Sequence, residues 1–215
     1  MIPYINLHTH HLSQNESTFL YNNRFGYDKE FFLEKYFSVG IHPWDVHMIS
    51  PQKMNEFDRL IQEPNCLAVG ECGLDKICKS DYRQQKYFFS EQLKLAVKYQ
   101  KPVIIHCVKA FDDLLGICKP YINKIPLILH GFNKNDELAK QFINKGFFLS
   151  VSSEFLSKTK LNQVILSNLF LETDDKTNLN IRDIYKIASQ KLLINEELLK
   201  EKIYINFAAL FKVDN

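Results

Sequence analysis

The sequence predicts an α/β fold that is built as a (β/α) barrel. Strand-like and helix-like segments alternate along the 215 residues, which indicates parallel strands joined by crossover helices. The strand-like segments are apolar throughout, as is typical of strands buried on both faces. Roughly eight candidate strands favour the barrel, and an open doubly wound sheet is the alternative.

The strands are placed by their apolar runs and by the turn residues that bound them. Pro102 opens one run, at a position where a strand tolerates proline. Residues 11–36 leave little room for a complete βα unit and a linker, so a degenerate second unit is left open. The predicted strands are 4–10, 18–23, 37–43, 66–75, 102–108, 126–132, 147–153 and 169–174.

The helices are predicted from 3.6-residue periodicity and from their capping residues. Segment 83–100 places Phe89 and Leu93 on one face. Gly146 is a candidate C-cap, and Asn195, followed by two glutamates, is a candidate N-cap. The predicted helices are 54–62, 83–100, 112–121, 136–146, 159–166, 181–192 and 196–211.

Composition indicates one domain over residues 1–215, because 46% of the residues are hydrophobic and neither a linker-like stretch nor a repeat is present. The net charge of +2 neither supports nor excludes nucleic-acid binding. No apolar run reaches the ~18 residues of a membrane span. Five cysteines, without a CxxC pair or a secretory leader, predict reduced thiols and a cytoplasmic protein.

Ionisable side chains recur where predicted strands end. Glu71 and Asp174 lie at such positions, and a parallel barrel brings all its carboxyl strand ends to one face. Each residue alone has a simpler interpretation, such as a helix N-cap for Asp174. Together they would be costly to bury without a cation. The histidines at strand ends are His8, His10, His42, His106 and His130.

The spacing of His8 and His10 indicates a chelate, because residues i and i+2 of a strand point to the same side. Imidazole suits zinc, iron, nickel or manganese, and carboxylates can bridge two ions. Two such ions form a clamp for hydrolysis at phosphorus or carbonyl centres. His11 faces away from the pair and His47 lies in a polar loop, so neither is assigned a role.

These motifs resemble, in order, those of the TatD family of metal-dependent hydrolases. The motifs are "NLHTH", "VGIHPW", "VGECGLD", "PVIIHC", "LHGF" and "LETD", and they run from about residue 4 to residue 174. "RQQKYFFSEQLKLA" is similar to the family's helix before the fourth motif, and "YINFAALF" is a further similarity near the end of the chain.

The resemblance implies a distorted TIM barrel with two divalent ions, which could be Mg²⁺, Mn²⁺ or Zn²⁺. Glu71 would bridge the ions, Asp174 would orient or deprotonate the attacking water, and His42 would lie near the substrate phosphate. Glu71 and Asp174 are therefore the implied catalytic residues. The implied ligands are His8, His10, Glu71 and Asp174 for one ion, and Glu71, His106 and His130 for the other.

The sequence departs from the family pattern at three places. Asn6 replaces an aspartate that is not usually a ligand. Val108 replaces an arginine, which leaves the adjacent Lys109 as our candidate substrate-binding cation. The segment after Asp174 is shorter than in the family and carries only Lys176. These changes reduce the contacts expected to a nucleic-acid backbone.

The resemblance implies hydrolysis of phosphodiesters at DNA ends, with single-stranded DNA or DNA ends as partner and no membrane. A second hypothesis is a metal-dependent esterase, deacylase or amidohydrolase that acts on a small molecule or an aminoacyl-tRNA. A third is a metal-binding protein without catalysis. Family analogy alone does not identify the substrate.

Overall fold

The structure is a computed structural model that describes residues 2–11, 17–28, 36–50, 52–159 and 163–213. Strands and helices alternate along these residues. The strands are β1 (Tyr4–Thr9), β2 (Ser17–Arg24), β3 (Phe37–Gly40), β4 (Cys66–Asp75), β5 (Val103–Val108), β6 (Leu127–Leu129), β7 (Phe147–Val151) and β8 (Leu169–Leu171). The helices are α1 (Lys53–Ile61), α2 (Tyr82–Tyr99), α3 (Phe111–Cys118), α4 (Asp136–Asn144), α5 (Ser153–Lys158), α6 (Ile181–Leu192) and α7 (Glu196–Phe211).

The eight strands follow one another in the sheet in the order of the chain, from β1 to β8. Strand β2 pairs in parallel with β3, β3 with β4, and β4 with β5, and β7 pairs in parallel with β8. Helices connect most successive strands, which is the pattern that parallel pairing requires. The predicted α/β class and the prediction of roughly eight strands are therefore confirmed for the described residues.

The chain divides into two compact units. One is continuous, Tyr21–Ile128, and contains β3, β4 and β5 with helices α1 to α3. The other combines Met1–Leu20 with Leu129–Asn215 and contains β1, β7 and β8 with helices α4 to α7. The single domain over 1–215 stays a prediction.

Helix α2 supplies much of the core of the continuous unit. Its buried face includes Phe89 and Leu93, as its periodicity predicts. It also buries Gln92, whose side chain accepts from Ile41 N–H (2.7 Å) and donates to Ile41 C=O (3.1 Å). This amide satisfies both backbone groups of the residue before His42, where the chain leaves β3.

The core of the two-segment unit lies between its strands and helices α6 and α7. Tyr185 on α6 is fully buried, and its hydroxyl hydrogen-bonds to both the N–H and the C=O of Ile5 on β1 (3.1 Å each). Burial raises the pKa of Tyr185, so the phenol stays protonated and keeps its donor. This contact fixes β1 three residues before His8, the first histidine of the sequence.

The helix predicted over 159–166 is wrong. The structure instead has α5, an extended Thr159 and a 3-10 helix at Gln163–Asn168, and residues 160–162 lie outside the described residues. Asn206 on α7 donates to the carbonyls of Leu166 (2.9 Å) and Leu169 (3.2 Å), which replaces the bonds of a longer α-helix. Tertiary contacts thus outweigh the local periodicity.

The predicted caps agree with the structure. Asn195 accepts a hydrogen bond from Glu197 N–H (2.8 Å) at the start of α7, and Gly146 has a positive φ of 88° just after α4. The predicted degeneracy of the second βα unit falls largely on residues 29–35, outside the described residues, although β2 itself is present.

Among the described residues, no helix has the length and apolarity that a membrane span needs.

Candidate metal centre

Three predicted ligands come together in the two-segment unit, and we call them the Asp174 group: His8, His10 and Asp174. Their donor atoms all lie within 4.8 Å of one another. His8 Nε2 and His10 Nε2 each lie 3.6 Å from Asp174 Oδ1. The His8 side chain is fully buried, whereas the Asp174 side chain is 31% exposed. The group therefore has a buried side and a side that a ligand can reach.

Backbone pairing places Asp174 between the two histidines. Asp174 N–H donates to His8 C=O (3.0 Å), and His10 N–H donates to Asp174 C=O (3.2 Å), so Asp174 faces Thr9 in a parallel bridge. The side chains before and after Thr9 share one side of β1. Asp174 has a φ of 56°, a left-handed conformation that aspartate tolerates better than most residues.

Asn6 holds the residue before Asp174. Its amide donates to Thr173 Oγ1 (2.8 Å) and its carbonyl oxygen accepts from Thr173 N–H (3.0 Å), with both residues buried. Thr173 Oγ1 also hydrogen-bonds to Thr9 Oγ1 (3.2 Å). The departure from the family aspartate thus falls on a residue that supports the Asp174 group.

Glu172 adds a carboxylate to this region. It belongs to the "LETD" motif but is not among the predicted metal ligands. It is fully buried, accepts from Gly131 N–H (2.5 Å), and has its Oε1 3.7 Å from His130 Nδ1. Among the described residues, Glu172 Oε2 has no hydrogen-bond partner. The donor atoms of His130, Glu172 and Asp174 also lie within 4.8 Å of one another. Glu172 lies two residues before Asp174, and this i, i+2 spacing could have identified Glu172 as a candidate ligand from the sequence.

A second set lies in the continuous unit, and we call it the Glu71 group: His42, Glu71 and His106. Glu71 Oε1 lies 3.1 Å from His42 Nε2 and 2.7 Å from His106 Nδ1. Glu71 Oε2 accepts from Asn22 Nδ2 (3.3 Å), and Glu71 N–H donates to Asn22 Oδ1 (2.9 Å). Each carboxylate oxygen therefore already has a hydrogen-bond partner.

The hydrogen bonds of His42 assign its tautomer. Trp44 N–H donates to His42 Nδ1 (3.2 Å), so the ring proton lies on Nε2 and points to Glu71. Burial lowers the pKa of His42, although the Glu71 carboxylate opposes this, and the ring is therefore neutral at pH 7. A ring with both nitrogens engaged in this way is a hydrogen-bond donor rather than a ready metal ligand.

Asp75 orients the other histidine of the group. Its Oδ2 lies 3.5 Å from His106 Nε2 and accepts from the Trp44 indole N–H (2.7 Å). Burial opposes ionisation of Asp75, but its hydrogen bonds outweigh this and hold its pKa below the usual value. Asp75 is not among the predicted site residues, although its period-2 spacing from Glu71 on β4 places it on the same side.

Gly73 lets β4 approach β5 between those two acids. A Cβ at this position would lie 2.1 Å from His106 C=O, and Gly73 has a φ of 145°. Any side chain here would push β4 away from the strand that carries His106. The "GECGLD" motif therefore combines two acids with the glycine that their spacing requires.

The other residues considered in the sequence lie apart from these contacts. Lys109, with a φ of 51°, is exposed just after β5. The ring of His11 hydrogen-bonds to Asp175 C=O (2.9 Å), and His47 is exposed in a short 3-10 helix. The substrate role of Lys109 stays a prediction.

The donors of the Asp174 group fit a divalent ion. Two ligands at ~2.1 Å from a tetrahedral ion lie about 3.4 Å apart, and the observed separations are 3.6 Å. Two imidazoles and a carboxylate suit zinc or manganese. Glu172 Oε2 supplies a further buried acceptor beside this group.

Comparison with known proteins identifies the family. The model of the TatD related DNase family matches residues 13–212. The chain belongs to this family. The TatD resemblance inferred from the motifs is thereby confirmed. The match includes the Glu71 group and Asp174, whereas His8 and His10 precede it.

Curated TatD relatives align with part of the chain. The 3′-5′ ssDNA/RNA exonuclease TatD of Klebsiella pneumoniae (strain 342) is 32% identical over 146 residues, which is 64% of this chain and 56% of the relative. The exonuclease of the same name from Citrobacter koseri is 26% identical over 163 residues, which is 74% of this chain and 56% of the relative. The chain thus spans little more than half the length of these relatives.

Solved TatD structures match the whole chain. YJJV, a TatD homolog from Escherichia coli K12, has a TM-score of 0.84 at 20% identity and covers 100% of both chains. A TatD family hydrolase from Entamoeba histolytica has a TM-score of 0.77 at 17% identity and covers 97% of this chain and 98% of its own. The fold is therefore that of the TatD proteins, and the predicted TIM-barrel metallo-hydrolase class is confirmed.

Proposed function

We propose that this TatD protein is a divalent-metal-dependent hydrolase that cleaves phosphodiester bonds at the ends of single-stranded DNA. The observation that carries the proposal is the Asp174 group, in which two imidazoles and a carboxylate are spaced as ligands of one ion. Membership of the TatD related DNase family and the similarity to relatives named 3′-5′ ssDNA/RNA exonucleases support this reaction and substrate.

The proposal includes two divalent ions, Mg²⁺, Mn²⁺ or Zn²⁺. The Asp174 group would hold one, and Glu71 and His106 would be ligands of the second. A bound divalent ion supplies Lewis-acid polarisation of the phosphoryl oxygen and a water nucleophile at neutral pH. The sharing of Glu71 between the ions and the binding of the second ion by His130 stay predictions.

The side chains of the protein have distinct tasks in this scheme. Asp174 would be the catalytic base, because it is the acid of its group and its partly exposed carboxylate can accept the proton of the attacking water. His42 is neutral with its proton on Nε2, which points to Glu71, and its ring would lie near the substrate phosphate without adding charge there. Asp75 and Asn22 orient His106 and Glu71.

Single-stranded ends are favoured over duplex because cationic contacts are few. The net charge is +2, and Lys109 and Lys176 are the cations that follow β5 and Asp174 in the sequence. A protein that grips a duplex backbone neutralises many phosphates.

The five cysteines are all free thiols, which supports a reducing compartment such as the cytoplasm.

The test is hydrolysis of end-labelled single-stranded and double-stranded DNA with Mn²⁺ or Mg²⁺, beside a panel of carboxylic esters and amides. We expect shortening of single strands from one end and loss of activity with a chelator. Turnover of an ester with intact DNA would establish the esterase or deacylase hypothesis instead. Tight metal binding without turnover of any substrate would establish a metal-binding protein without catalysis.

A further inference from the structure

Trp44 is an exposed aromatic side chain that the structure nevertheless holds in place. It is the only tryptophan of the sequence, and 48% of it is exposed. Its indole N–H donates to buried Asp75 (2.7 Å), and its ring contacts His42 edge-on at 4.7 Å between centroids. The His106 ring centroid lies 6.1 Å away. A large apolar surface is thus fixed beside the Glu71 group.

Arg24 supports this surface from β2. Its guanidinium carbon lies 5.6 Å from the Trp44 ring centroid and 4.2 Å from that of Tyr27, which is 56% exposed. Asp45 is buried and accepts from Arg24 Nε (3.0 Å) and Nη2 (2.7 and 2.9 Å). We call Arg24, Tyr27 and Trp44 the Trp44 platform.

The charge balance of the platform selects the kind of ligand. The carboxylate of Asp45 neutralises the guanidinium and accepts hydrogen bonds from its Nε and Nη2 groups. Arg24 is therefore not available as a bidentate phosphate ligand. What the platform offers is aromatic area in a fixed orientation. A flat, uncharged group such as a nucleobase stacks on such a surface, and every base has a face that suits it.

We propose that the Trp44 platform is a stacking site for an unpaired nucleobase beside the phosphodiester that is cleaved. This deepens the proposed nuclease function and rests on it. In a duplex both faces of an internal base are covered by its neighbours, so only a base from a single strand or a frayed end can stack here. The platform therefore accounts for a single-strand preference without a strong positive charge.

The test compares two single strands of equal length, one with adenines throughout and one with abasic nucleotides at its 3′ end. Stacking of one base predicts a KM about 5- to 150-fold lower for the adenine strand with the wild-type protein. Trp44→Ala should abolish this preference, so that the ratio of the two KM values approaches one. The ratio cancels any change that loss of the hydrogen bond to Asp75 causes with both strands. Trp44→Phe, which loses the bond to Asp75 but keeps an aromatic face, should retain most of the preference.

Tyr87→Ala is the matched control, because Tyr87 is an exposed aromatic residue on α2 with 58% exposure and lies outside the platform. It should behave as the wild type with both strands. A Trp44→Ala protein that still prefers the adenine strand by the wild-type factor would overturn the proposal.

Fluorescence separates this proposal from the proposed function. Emission of the wild-type protein comes from Trp44 as its only tryptophan, so it can be titrated with the same two strands whether or not they are cleaved. Quenching by the adenine strand alone supports stacking on Trp44, even if hydrolysis is absent and the nuclease proposal fails. Equal quenching by both strands, or none by either, rejects the platform even if DNA is hydrolysed.

Discussion

The Asp174 group and the Glu71 group contain the same kinds of side chain but hold them in different ways. In the Asp174 group the backbone fixes the residues, and the side-chain donors remain 3.6 Å apart. In the Glu71 group the side chains hold one another, with 2.7 and 3.1 Å between Glu71 Oε1 and the two rings. One group is spaced for an ion, whereas the other is closed by its own hydrogen bonds.

This difference has a thermodynamic consequence. An ion that enters the Asp174 group relieves the cost of a buried imidazole beside a carboxylate and breaks no hydrogen bond between the ligands. An ion that enters the Glu71 group must first displace the hydrogen bond between Glu71 and His106. We therefore expect the Asp174 group to bind metal more tightly, and the Glu71 group to keep its geometry better without metal.

The largest expected effect is on catalysis by the Asp174 group. Asp174→Asn keeps the shape and one ligating oxygen but removes the charge that accepts a proton, so turnover of single-stranded DNA should fall by at least ~10²–10⁴-fold. The exposed neighbour Asp175 gives the matched control, since Asp175→Asn makes the same change outside the group. Equal activity of the two variants in an end-labelled DNA assay would remove Asp174 from the mechanism.

Metal-dependent thermal stability compares the two groups directly. Metal at a hundred times its dissociation constant should stabilise the wild type by about 2.7 kcal/mol. His10→Ala should abolish the rise in Tm at low metal concentration, while His106→Ala should reduce only the rise at high concentration. His47→Ala, in an exposed 3-10 helix, should titrate as the wild type. Equal losses in the first two variants would contradict the difference in affinity.

Support of the Asp174 group by Asn6 gives a smaller effect that needs no metal. Asn6→Ala removes two buried hydrogen bonds to Thr173, so the free energy of unfolding should fall by about 1–3 kcal/mol. Urea denaturation without metal measures this. The exposed Asn144→Ala, at the end of α4, is the control. An unchanged midpoint for Asn6→Ala would mean that the backbone bonds of Asp174 suffice.

The smallest expected effect concerns Lys109, which lies outside both groups. If this exposed lysine contacts one phosphate, Lys109→Ala should reduce the slope of log affinity against log salt by about 0.7 for single-stranded DNA. Binding measured at several salt concentrations, with the exposed Lys119→Ala as control, provides the test. A slope equal to that of the wild type would show that Lys109 does not contact the strand.

Much of this architecture follows from local patterns. Helices α6 and α7 have the predicted bounds of 181–192 and 196–211, and an asparagine side chain caps the N-terminus of each. The pairing of His8 with His10 follows from the period of a strand. The residues that orient the groups could not be identified in this way, since the contact of Asp75 with His106 depends on strand register. The supporting role of buried Gln92 could not be predicted from the sequence either, because its hydrogen-bond partner Ile41 is distant in the chain.

The bridge between Thr9 and Asp174 has a consequence for the order of folding. Thr9 and Thr173 are 164 residues apart in the chain, so the Asp174 group can form only after most of the protein has been synthesised. Closing so long a loop carries an entropic cost that local contacts do not offset early. The unit Tyr21–Ile128 is continuous and can begin to fold on the ribosome. The Asp174 group is therefore a late product of synthesis, which delays the proposed activity until β8 has emerged.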